Sequence, residues 1–173
     1  MTRYSRRQAK NVFEAVGECV VTFAMVEQAL DLAISYVHDD YGGSKLGIEP
    51  PRTALHKKLK YLRKALDSNC ELPMASTVVT LLERIEVAAE RRNEIVHSVL
   101  NIVAESDTGL HPMFKFNHRG TFEDRALSLD ALRAFNLQIF HIAKVAGSYA
   151  EVLSTGLRPP YDKEELFKLP PSA

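Results

Sequence analysis

Four stretches of this chain repeat their apolar residues at the spacing of an α-helix, and that periodicity constrains the fold more than any other feature. The first stripe, from about Ser5 to His38, is Val12, Val16, Cys19, Val20, Phe23, Leu30, Ile34 and Val37. Gly17 lies within it and weakens it slightly, and "DDYGG" ends it. "IEPPR" is a loop. A second helix starts near Thr53 and carries Leu55, Leu59, Leu62 and Leu66. After the break "DSNCELP", a third runs from about Ala75 to at least Val96 on Val78, Leu81, Leu82, Ile85, Ala88, Ala89 and Val96. Ser128 is a fitting N-cap for the fourth, whose stripe is Leu132, Phe135, Ile139, Ile142, Ala146, Tyr149 and Leu153.

Between the third and fourth helices the period changes. "SVLNIVAES" reads as a strand, "DTGLHP" as a turn and "MFKFNH" as a second strand, with "TFEDRALSL" a weaker third. Long helices with short links pack as antiparallel bundles. The expectation is therefore an all-α domain over residues 1–156, an antiparallel bundle of four long helices with a small β-hairpin between helices 3 and 4. The tail 157–173 holds four of the eight prolines and reads as a loosely docked extension.

The chain has 173 residues, enough for one domain with a sizeable core. Twenty-two basic residues balance twenty-two acidic ones, so any affinity for nucleic acid must come from a local patch. Cys19 and Cys70 read as free thiols rather than as a disulfide framework or zinc site. The basic start "MTRYSRRQAK" leads into no signal-peptide core. No uninterrupted apolar run approaches the roughly 18 residues that span a bilayer. These features predict a cytoplasmic protein with no membrane partner.

Two charges sit inside the apolar stripes. With Ile85 at zero and about 100° per residue, Arg92 falls at about −20°, in the middle of the third helix's stripe. An unpaired guanidinium in a core costs several kcal/mol, so Arg92 must meet a carboxylate, line a cleft or face another chain. Glu27 lies in phase with Phe23, Leu30 and Ile34 on the first helix. A buried ion pair between Glu27 and Arg92 is therefore one reading. His97 lies about 140° around the helix from Arg92. Asn93, four residues earlier, lies on its side and can hold the imidazole in one tautomer. Alternatively, His97 is simply a histidine at a helix C-terminus, where the dipole favours it.

Arg92, Asn93, three residues and His97, written "RNEIVH", resemble the signature of the HEPN superfamily: an arginine, four to six residues, then histidine, commonly with a polar residue after the arginine. The helix order over roughly residues 5–155 is similar to that family's. The resemblance implies a metal-independent endoribonuclease without cofactors, found in toxin–antitoxin, phage-defence and RNA-processing systems. It also implies a homodimer that brings two motifs into one cleft, with an antitoxin or other protein as partner. Arg92, Asn93 and His97 are then the catalytic set. RNA supplies its own nucleophile, the 2′-hydroxyl. His97 suits acid–base work near neutral pH, Arg92 suits bidentate phosphate stabilisation, and Asn93 orients His97 or binds a phosphate oxygen. The superfamily also contains non-catalytic dimerisation or binding modules, in which Arg92 paired with Glu27 is structural. A nucleotidyltransferase partner without nuclease activity is a third class.

The second helix is basic, with Arg52, Lys57, Lys58, Lys60, Arg63 and Lys64 and an interleaved Tyr61. Lys57, Lys60 and Lys64 are candidates for following an RNA backbone; a solvated face is the alternative. His38, Asp39 and Asp40 make a poor metal site, having no downstream ligand at suitable spacing. No GxGxxG, Walker, GxSxG or HExxH pattern occurs, which leaves those enzyme classes unsupported.

Overall fold

The computed structural model describes residues 6–68, 72–97, 99–106, 109–118 and 121–156. The elements are helix α1 (Arg6–Asp39), a short 3-10 turn (Gly43–Leu46), α2 (Leu55–Asp67), α3 (Ala75–His97), strands β1 (Val99–Ser106), β2 (Gly109–His118) and β3 (Thr121–Ala126), and α4 (Leu129–Thr155). Among the residues whose burial is described, the core is built almost wholly from the helices. Val12, Phe23, Val26 and Leu30 of α1 meet Leu59 and Leu62 of α2, Leu81, Leu82 and Ile85 of α3, and Leu132, Ile139 and Ile142 of α4. All seven stripe residues assigned to α4 are buried. On α1 the stripe differs in detail: Val26 is fully buried and Val20 is 36% exposed.

Local chemistry sets the helix ends. Ser128 caps α4, its hydroxyl accepting from the Ala131 N–H at 3.1 Å. Gly156 closes α4 in the left-handed region at φ 65°. Ala54 precedes α2 with φ 59°, and Met74 precedes α3 with φ 58°. Both are left-handed conformations that a side-chain-bearing residue adopts at a cost. Gly43 is required where it stands. A Cβ there would lie 2.6 Å from both the Tyr61 hydroxyl and the Val37 carbonyl oxygen.

The helix directions correct the expected antiparallel order. Asn136 of α4 donates to the Ala15 carbonyl at 2.9 Å, and Tyr41, just beyond α1, donates to the Leu153 carbonyl at 3.0 Å. Positions rise together along both helices, so α1 and α4 run parallel. Asp31 with Lys58 and His38 with Tyr61 give α1 and α2 a common direction too. The physical reason is the connection over residues 40–54, long enough to return the chain before α2 begins. Helix α3 runs the other way: Arg63 of α2 pairs with Glu86, while Leu55 and His56 face Glu90 and Asn93. At 13 residues, α2 is also short.

Between α3 and α4 the backbone forms a three-stranded antiparallel sheet in the order β1-β2-β3, rather than a two-stranded hairpin. Its register shifts between Leu100 and Ile102. The tail 157–173 and Cys70 lie outside the described residues.

Residues Lys10–Asp39 of α1 are long and apolar enough, at mean hydropathy 1.4, to cross a membrane. Counting apolar runs missed this, because interleaved Glu, Thr, Gln and Asp break the runs without lowering the mean hydropathy below that of a spanning helix. Here its buried side closes the helical core.

Candidate functional site

A cavity of about 410 Å³ opens between α1, α2 and α3. Phe23 and Glu27 come from α1, Leu55, His56 and Leu59 from α2, and Glu86, Ala89, Glu90, Arg92 and Asn93 from α3. Its volume lies in the range of small-molecule and nucleotide sites. The positions follow from helical spacing: Phe23 and Glu27 are one turn apart, as are His56 and Leu59, and Glu86, Ala89, Glu90 and Asn93 share one face of α3.

Arg92 is half-buried. Its guanidinium carbon lies 5.5 Å from the centre of the Phe23 ring, a cation–π contact. Its Nη1 donates to Asn93 Oδ1 at 2.8 Å. Its Nε is buried and has no partner among the described residues. The expected ion pair does not form: Glu27 lines the same cavity, but among the described residues no contact within 4.0 Å joins it to Arg92. The guanidinium is instead held by Asn93 and by the ring. An N–H desolvated without an acceptor is costly, and this cost falls on a residue that lines an open cavity.

Asn93 is exposed, and its amide oxygen is occupied by Arg92. Asn93 therefore positions the arginine, not His97. His97 is exposed at the end of α3 and does not line the cavity. The structure thus brings two of the three motif residues together and leaves the third outside, as the angle between them requires.

Charge in the cavity is mixed. Arg63 binds Glu86 at 2.7 Å, which lowers the Glu86 carboxyl and raises the Arg63 guanidinium from their ordinary values. Glu27 and Glu90 form no ion pair among the described residues. Deeper in, Cys19 is fully buried, and desolvation lifts its thiol to about 11 against the counter-pull of Arg92.

Lys57, Lys60 and Lys64 are exposed and share one face of α2 at i, i+3 and i+7 spacing. Lys64 also donates to the Leu46 carbonyl at 3.0 Å. Lys58 leaves this group: it is 5% exposed and bound to Asp31 at 2.6 Å. Tyr61 leaves it too, being buried with its hydroxyl 2.9 Å from His38 Nδ1, and cannot stack on a base. His38 is thereby engaged, and among the described residues no three His, Cys, Asp or Glu side chains converge as a metal needs.

The cavity residue that sequence reasoning passed over is His56. It falls among lysines on a helix read as a basic face, and only the pairing of α2 with α3 brings it to the cavity that Arg92 lines.

Comparison with family models, with curated proteins and with solved structures finds no match in any of the three.

Proposed function

We propose that this chain is a metal-independent endoribonuclease of HEPN type, a helical bundle acting as a homodimer on RNA in the cytoplasm, in a toxin–antitoxin or phage-defence setting. One observation carries the reading: among the described residues no ion pair engages Arg92. Its guanidinium stands at an open cavity with the buried Nε unpartnered, held by Asn93 and Phe23. Such a group is suited to a phosphodiester, whose charge grows as the phosphorane forms. The 2′-hydroxyl of RNA supplies the nucleophile, so no metal is called for. Lys57, Lys60 and Lys64, exposed on α2, supply positive charge for the flanking backbone.

A non-catalytic binding module is the second reading. It is favoured by Glu27 and Glu90, which bring negative charge to the same cavity, and by His97 standing outside it. Cleavage of a mixed-sequence RNA in EDTA separates the two. In the nuclease reading the wild type cuts, and Arg92→Ala loses about 100-fold or more in rate at a little-changed melting temperature. A folded wild type that leaves the RNA intact supports the module.

A further inference from the structure

The cavity that holds Arg92 already contains a histidine, on a different helix from the motif. We infer that His56, and not His97 of the same chain, is the acid–base residue of this site; the inference rests on the ribonuclease reading above. His97 does not line the cavity, and in a regular helix it lies about 140° from Arg92. His56 lines it from α2, with its side chain exposed and so open to a ligand. The space of about 410 Å³ that Arg92 and His56 both line is large enough for a phosphodiester together with its ribose. A base must come within hydrogen-bond distance of the proton it removes, and His56 is the histidine among the residues lining that space.

The step balances without a metal or an oxidant. His56 takes the proton of the 2′-hydroxyl, O2′ bonds to phosphorus, and the P–O5′ bond breaks. The products are a 2′,3′-cyclic phosphate and a 5′-hydroxyl. O5′ takes its proton from water at the open mouth, and the imidazolium returns its proton to solvent.

The test is single-turnover cleavage in EDTA by the full chain, with binding of a 2′-deoxy-substituted, uncleavable RNA measured in parallel. His56→Ala is expected to slow cleavage about 100-fold or more, to bind the uncleavable RNA as the wild type does, and to recover activity with added imidazole. Cleavage by His56→Ala at the wild-type rate overturns the inference and leaves the ribonuclease reading standing. Loss of RNA binding together with cleavage, unrescued by imidazole, also overturns it. A wild type that cleaves nothing overturns both.

Discussion

At the scale of single residues, the charged groups in this fold divide by what holds them. Lys58 is buried and its ammonium is held by Asp31, itself about half exposed. Removing the carboxylate strands a buried cation. We expect Asp31→Ala to cost about 2 kcal/mol in urea unfolding, below the range for a fully buried pair, whereas Lys58→Met is close to neutral. Equal, negligible effects of both substitutions would show that the pair carries no weight. Glu27 provides the contrast. Among the described residues it has no ion pair to lose, so Glu27→Gln should change stability by less than about 0.5 kcal/mol; a loss of about 2 kcal/mol would restore the ion pair with Arg92. Cys19 tests the burial of α1. Its thiol is raised from 9.0 to about 11 by burial, so the fold favours the neutral form. The resulting stability is complete below pH 9 and is lost as pH rises through 11. In a Cys70→Ser background, alkylation at pH 8 should proceed only as the chain unfolds; fast labelling of the native protein would contradict the packing.

At the scale of elements, two junctions set the frame of the bundle. The turn after α1 passes so close to α2 that only glycine fits at Gly43. Gly43→Ala should destabilise by about 1–3 kcal/mol through overpacking against Tyr61 and the end of α1. A neutral result in thermal unfolding would mean that the turn can shift without cost. The start of α4 depends on a single side-chain bond. Ser128→Ala should cost about 1 kcal/mol, and Ser128→Asp should restore it, since a carboxylate also suits a helix N-terminus. Both predictions concern the frame around the site and should leave the residues of the cavity untouched.

At the scale of the molecule, the question is whether one chain completes the site. The HEPN resemblance implies a pair of chains, and His97 is exposed at the end of α3. Sedimentation equilibrium should then give twice the chain mass of 19.4 kDa. A strict monomer that still cleaves RNA would leave His56 as the histidine able to serve Arg92 and would remove His97 from the site.

The helices and the misplaced charge of Arg92 are legible in one dimension. Apolar spacing located all four helices, the Ser128 cap and the face of α4, because burial of one helical face leaves a 3.6-residue period that needs no tertiary knowledge. The same arithmetic showed that Arg92 and His97 lie on different faces, and the structure keeps them apart. What surrounds Arg92 was decided only by tertiary structure. Glu27 was in phase for an ion pair, yet phase fixes a direction around an axis and says nothing of the distance between two helices. The parallel run of α1 with α4 and of α1 with α2 depends on how the connection over 40–54 turns back, a non-local choice absent from any periodicity. That choice brings α2 against α3 and puts His56 and Arg92 on one cavity, while burying Lys58 and Tyr61 of a helix that reads in one dimension as a basic, solvated face.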